Sequence, residues 1–390
     1  MSAAVAPRRL PSGTLAALIL FGACNHVLLT GGRVAVALDA LSRDASPALV
    51  GLLMALFALL PALLAIAAGR LVDRIGPRRP MVWGTAGSVA AALLPALWPG
   101  LPALFCAAML AGLSFMLYQV PAQRIVGELG DPLSRTVNFS WYALGLSASA
   151  FAGPLLAGVA IDLAGFRWAF ALLAVAPAVT LVALLRGALR LPAVHARGEA
   201  AGGAGMRELL RHPMLRKLLA LNALFAIGWD LHSIFVPIYG SRIGLSASQI
   251  GSILSAFAAA TFAVRLVMPW LVGARPPQMK VLRVALLASA AVYVAFPFTS
   301  STLALVVLSF GLGMALGTSQ PMVMSLLHEH SPPGRVGEIV GLRMSLIQTM
   351  AVTVPLVFGA IGTTVGMIPV FGSVGLALGL GGLAARHRRR

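Results

Sequence analysis

Residues 69–79 read GRLVDRIGPRR, from Gly69 to Arg79, with five charges in eleven residues between two long apolar runs. The chain as a whole is only 10% charged. Charge is costly inside a bilayer and cheap at its surface. A cluster this dense, flanked by apolar sequence on both sides, marks a place where the chain leaves the membrane and turns back.

Composition agrees. Hydrophobic residues make up 59% of the 390, and the mean hydropathy is +0.92. A soluble domain has roughly 45–50% apolar and about 25% charged residues, so this is an integral membrane protein. Spanning a bilayer takes about 20 residues per helix, which predicts about 12 spans and no sizeable soluble domain. Apolar runs bounded by charged, Gly or Pro turns fall at 13–37, 47–69, 81–99, 102–126, 137–160, 167–186, 216–238, 247–271, 282–299, 303–327, 338–360 and 365–384. The first run has the look of a signal peptide, but it continues through Asn25 and His26 to about Ala37, and is expected to stay as the first helix. Cys24 and Cys106 both fall inside apolar runs and are expected to be buried thiols.

A net charge of +18 would ordinarily point to nucleic acid. Its placement argues for the lipid bilayer instead. With twelve spans, 24 of the 29 basic residues fall on the side of the two termini and three on the other, and Arg33 and Arg265 lie within spans. Lys and Arg concentrate in cytoplasmic loops. Both termini are therefore expected in the cytoplasm of a bacterial-type inner membrane.

The longest loop divides the chain into residues 1–186, a central loop at 187–215, and residues 216–390. The halves repeat at an offset of 200 residues: Ser46 and Ser246, Gly51 and Gly251, Phe57 and Phe257, Pro121 and Pro321, Pro132 and Pro332, Arg135 and Arg335. A constant register across several helices predicts two pseudo-symmetric six-helix bundles. The expected fold class is an all-α polytopic membrane protein of twelve transmembrane helices.

Within that frame Gly69, Asp73, Arg74, Gly76, Arg78 and Arg79 closely resemble the signature between helices 2 and 3 of the major facilitator superfamily, roughly G-x-L-x-D-R-x-G-x-[RK]-[RK]. The resemblance covers essentially the whole chain. It implies a gating loop that clips the ends of the halves together when the cavity faces outward. In that role Asp73 would meet the start of helix 11, near Gly337 to Gly341, and Arg124 at the end of helix 4. On the residues themselves, Gly69 suits close helix approach, and Gly76 and Pro77 suit a tight turn. The matching stretch of the second half has Gly273 where the first has Asp73, so the clip is expected on one half only. In helix 5, Ser149, Gly153, Pro154, Ala157 and Gly158 resemble the G-x-x-x-G-P-x-x-G-G pattern of the superfamily's exporters, with Ser and Ala for two glycines. Small residues at this spacing let helices pack closely. The chain departs from the drug-exporter branch in having no Arg early in helix 4.

Polar groups inside spans mark pathways. Asp230, with Trp229 and His232 in helix 7, is the acid the predicted spans place well inside the membrane. It is read either as a proton-exchanging group or as the partner of Arg33 in an ion pair closing the outer gate. Asn25 and His26 lie at mid-depth in helix 1. Tyr118, Gln119 and Gln320 offer further hydrogen bonds. Arg265 and Arg343 either snorkel to the interface or line the inner cavity.

The expected function is secondary active transport of a small organic solute by alternating access, as proton-coupled efflux from a monomer without cofactor or metal. The alternative is transport of an organic anion, since three interior arginines face one aspartate. A membrane enzyme or sensor is the remote reading. The His-Glu-His at 328–330 lacks zinc-site spacing, and no G-x-x-x-x-G-K loop is present to bind nucleotide.

Overall fold

The computed structural model describes residues 13–129, 135–189, 212–272, 278–330 and 336–385. These form helices, with no β-strand among them. A bilayer offers no water to unpaired backbone groups, so a spanning segment must satisfy its N–H and C=O groups internally. In chain order the helices are α1 (Gly13–Leu41), α2 (Pro47–Ile75), α3 (Arg78–Leu97) and α4 (Leu101–Glu128). The next stretch, Arg135–Leu185, is broken at Gly165, whose φ of 79° and ψ of 174° are not helical. We number its parts α5 (135–164) and α6 (166–185). Then come α7 (Pro213–Arg242), α8 (Ala247–Val272), α9 (Gln278–Ala295), α10 (Thr302–Glu329), α11 (Val336–Thr364) and α12 (Met367–Ala384).

The α5–α6 stretch crosses twice. Its apolar part, Asn138–Leu185, has 48 residues, or roughly 72 Å of helix against a hydrocarbon core of about 30 Å. Asn138 near its start donates to the Leu129 carbonyl at the end of α4, and Leu184 near its end accepts from Arg78 at the start of α3. Both ends thus lie on one face, and the break at Gly165 lies on the other. We call the face on which α1 begins the inner face, and the opposite one the outer face.

Several helices exceed the predicted spans, and two readings change. First, α2 runs to Ile75, so Gly69, Asp73 and Arg74 are helical and only Gly76 and Pro77 make the turn. Gly76 has φ of 78° and donates its N–H to the Val72 carbonyl. Second, α1 runs to Leu41 and takes in Asp39, a buried acid that the predicted spans left out. Asp39 is tied to Arg43 at 2.8 Å one turn later. Cys106 also departs from expectation. It is exposed on α4, while Cys24 is half-buried.

The pseudo-symmetry is visible in the packing. Gly112 of α4 lies so close to α2 that a Cβ there would overlap the Phe57 carbonyl, and Gly313 of α10 stands to Phe257 of α8 in the same way. The turns after α1 and α7 also match. Asp44 at φ 60° and Gly244 at φ 77° occupy equivalent left-handed positions, each followed by an N–H that reaches back five residues, Ala45 to Ala40 and Leu245 to Gly240.

One continuous buried core runs through both halves. A second, separate core lies at the inner end of the first half, where Leu15, Met81, Tyr118, Ile125, Tyr142 and Leu184 pack together. No described residue of the second half joins it. The halves are thus packed against each other toward the outer face, and the first half packs on itself at the inner face.

Candidate functional site

The space between the halves is bounded by two seams, α5 against α8 and α2 against α11. Helix 5 is built for the first. Gly153 lets α5 meet α1, since a Cβ there would overlap Thr30 Oγ1 and crowd the backbone of Gly31. One turn on, Gly158 lies against the Ala247 carbonyl, and Gly251 of α8 lies against the Pro154 carbonyl. The helix 5 motif therefore makes two close contacts at once, within its half and across to the other. The second seam repeats the second contact: Gly51 lies against the Pro355 carbonyl and Gly359 against Pro47.

The helix starts at these seams were missed by sequence reasoning. The Asp162 carboxylate at the outer end of α5 accepts from the N–H groups of Ala247 at 3.0 Å and Ser248 at 2.7 Å, the first two residues of α8. The third N–H, of Gln249, goes to Ser246 Oγ, and the Gln249 side chain returns a bond to the Ser246 N–H. This is a capping box. At the start of α2, Ser46 Oγ accepts from Leu49, and Thr363 Oγ1 of α11 accepts from Ala48 at 2.9 Å. Residue 47 is a proline and has no N–H to place. Asp162 falls between the predicted spans 137–160 and 167–186. Its spacing of four from Gly158, matching Thr363 from Gly359, is the signal that could have found it.

Deeper along the first seam, Ser255 Oγ donates to the Phe151 carbonyl at 2.7 Å, and Arg265 Nη1 to Ser147 Oγ at 2.8 Å. Arg343 of α11 is 4% exposed and donates through Nε to Asn222 Oδ1 of α7 at 2.9 Å. Both arginines point into the bundle, so the snorkelling reading fails for each.

Between the seams lie Arg33 of α1 and Asp230 of α7, both half-buried. Their charges interact. They form no ion pair, however: among the described residues the one salt bridge within 4.0 Å is that of Asp39 with Arg43. Arg33 instead sits over the Phe57 ring, with its guanidinium carbon 5.5 Å from the centroid and its Nε without a partner. On the facing half, Trp229 packs edge-on to Phe257 at 4.8 Å, and His232 stacks on the same ring at 4.4 Å. The two phenylalanines are the symmetry mates seen in the sequence.

The remaining predicted residues divide by burial. His26 is half-buried, with Nδ1 2.7 Å from Ser149 Oγ. That hydroxyl donates to the Leu146 carbonyl, so the His26 ring is left to donate to it. Gln119 is half-buried and accepts from the Tyr142 hydroxyl at 2.7 Å. Asn25, Tyr118 and His232 are buried within helix packing: Asn25 bonds to Phe21, Tyr118 to Leu18, and His232 to Ser309. Tyr118 and His232 thus tie neighbouring helices together, while Asn25 bonds within α1.

In the signature stretch, Arg78 binds the carbonyl of Leu184 at the end of α6, an anchor within its own half. Arg74 and Arg79 are exposed and Arg124 is half-buried. A Cβ at Gly69 would meet nothing within 4 Å, so no neighbouring helix approaches there as its residue type suggested. The Asp73 and Gln320 side chains, the surroundings of Gly337 and Gly341, and Gly273 of the second half lie outside what the structure describes.

A sequence model of the family described as Major Facilitator Superfamily matches residues 18–355. Solved structures agree in fold. Peptide transporter POT in complex with sulfate superposes with a TM-score of 0.80 at 19% identity, covering 97% of this chain and 95% of that one. A point mutant of that transporter with sulfate gives 0.81 at 18%, over 97% and 95% of the two chains. The mutant with alafosfalin gives 0.80 at 19%, over the same shares, 97% and 95%.

Proposed function

The chain belongs to the major facilitator superfamily, and on that premise we propose that this transporter works by alternating access between its two halves and exports a small organic solute in exchange for protons. That it is a transporter and not an enzyme follows from the family. The observation that carries the coupling is the placement of Asp230 and Arg33. They stand on the two halves, half-buried, and are not joined by an ion pair. Isolated charge within a span is costly and is relieved by pairing or by proton transfer. A carboxylate that pairs with Arg33 in one state and takes a proton in another links proton movement to the rocking of the halves. The helix 5 motif favours export as the direction. The arginine-rich inner loops favour an inner face in the cytoplasm, and one chain contains a whole pathway, which suits a monomer.

The test is flux in proteoliposomes with and without a pH gradient, over cationic, neutral and anionic solutes. Asp230→Asn should abolish gradient-driven flux while the protein elutes as a folded species. Normal gradient-driven flux in that variant rules out Asp230 as the coupling group.

A second reading is transport of an organic anion. It is favoured by Arg265 and Arg343, which turn into the bundle instead of outward. The same solute series separates the two, since carboxylates would then be carried in preference to cations. The peptide transporters that share the fold are too distant in sequence to lend their substrates to this chain.

A further inference from the structure

The outer ends of the two seams carry acceptors matched in number to the donors they meet. An α-helix begins with N–H groups that have no partner of their own. In α8, Ser246 takes the third, and the first two remain on Ala247 and Ser248. The residue facing them from the other half is Asp162, whose two carboxylate oxygens each accept one. In α2, Ser46 takes the third, Pro47 has no N–H, and the single remaining donor on Ala48 meets the single hydroxyl of Thr363. The negative carboxylate also suits the positive end of the α8 dipole. Asp162 stands one turn beyond Gly158, on the same side of α5, just past the point where the two backbones touch.

We propose that Asp162 holds the outer gate shut, its carboxylate binding the amides of Ala247 and Ser248 in the opposite half and releasing them each time the outer side opens. Asp162 is exposed on the outer surface. When the seam parts, water can take the place of both partners, so the bonds contribute little to folding. Their effect falls on the difference between the closed and the parted state, and only such a difference shifts a conformational equilibrium. Asp162 is thus a positioning residue that acts through the helix starts and touches no solute. The outer gate becomes the counterpart of the clip expected at Asp73 on the inner face: an acid of the first half, meeting the start of a helix of the second.

The proposal rests on the alternating-access reading and is tested without solute or pH gradient. Spin labels are placed at Trp168→Cys and Arg242→Cys, both exposed near the outer face and on opposite halves. Cys24 and Cys106 are replaced by Ala, and distances are read by pulsed electron paramagnetic resonance in liposomes. The comparison is made in the Gly158→Ala background, where the added Cβ overlaps the Ala247 carbonyl and parts the seam, so that closed and parted populations are both measurable. Adding Asp162→Ala should raise the ratio of parted to closed about fivefold, the weight of one helix cap. Asp162→Asn, which keeps one acceptor, should raise it less. An unchanged ratio in Asp162→Ala, with or without a lower melting temperature, makes Asp162 an ornament of folding and overturns the proposal. If Gly158→Ala itself leaves the outer distance single and short, the seam is no moving gate, and the alternating-access reading of it falls with the proposal.

Discussion

Along α5 and α8 the halves share hydrogen bonds from Asp162 at the outer end through Phe151 to Ser147 deep in the span. Along α2 and α11 the described residues share one, from Ala48 to Thr363. Both seams use the same glycine contacts, so shape complementarity is equal at the outer end and bonding is not. Among the described residues, one seam is a hinge line bonded along its length, the other a leaf fastened at its outer edge. The signature stretch from Gly69 to Arg79 lies at the inner end of that leaf. An inner clip there has something to do only when the outer end lets go.

The largest expected effect comes from wedging the seams. Gly51→Ala and Gly158→Ala each put a methyl group into a backbone carbonyl, an overlap no side-chain rotation relieves. Each should destabilise the closed form by about 1–3 kcal/mol, read as a lower melting temperature in detergent and a longer outer distance. If α5–α8 is the hinge line, Gly158→Ala should also disturb the inner end, through Ser255 and Arg265. Gly51→Ala should leave that end unchanged. Equal responses at the inner end would break the distinction.

A smaller effect tests the matching of acceptors to donors. Pro47→Ala adds one N–H at the start of α2, for which Thr363 has no second oxygen. It should cost roughly 0.5–1 kcal/mol, the lower range for losing a helix cap. Thr363→Asp in the same background should recover it by recreating the arrangement of Asp162 with α8. A double-mutant cycle on melting temperatures measures the coupling, and strict additivity would show that the match is accidental.

The smallest expected effect compares the two turns at the outer face. Asp44 holds a left-handed backbone at φ 60° where the second half has Gly244. A non-glycine residue pays about 1 kcal/mol there, partly offset by the greater unfolded freedom of glycine. Asp44→Gly should therefore raise stability by about 0.5 kcal/mol, and Gly244→Ala should lower it. Thermal unfolding of both variants in one detergent checks the pair.

Much of the fold was legible before any coordinates. Hydrophobic run length, loop charge and the 200-residue register are properties of the chain taken a window at a time. The helices duly appeared within a few residues of the predicted spans. The errors lie at helix ends. There α1 continues through Asp39 because Arg43 one turn later neutralises it, and α2 continues through Asp73 to Ile75. The site was legible in kind and less so in detail. Asp230, Arg33, His26 and Gln119 are all half-buried, as their polar character inside spans suggested. Asn25, Tyr118 and His232 look equally polar in sequence and are buried in helix packing, because the register of residues along a helix leaves open which neighbour its faces meet.

The sequence by itself determined a twelve-helix membrane protein with two related halves and a charged signature at one end of α2. Those are consequences of local hydropathy and of duplication, and both are written along the chain. Tertiary structure alone decided that Asp162 caps a helix 85 residues away, that Thr363 caps one 315 residues away, and that Arg265 and Arg343 turn inward. It also decided that Arg33 and Asp230 form no ion pair. The physical reason is one and the same. A hydrogen bond or ion pair needs atoms within about 3–4 Å, and which distant helices come that close is set by how their surfaces pack, not by the composition of either one.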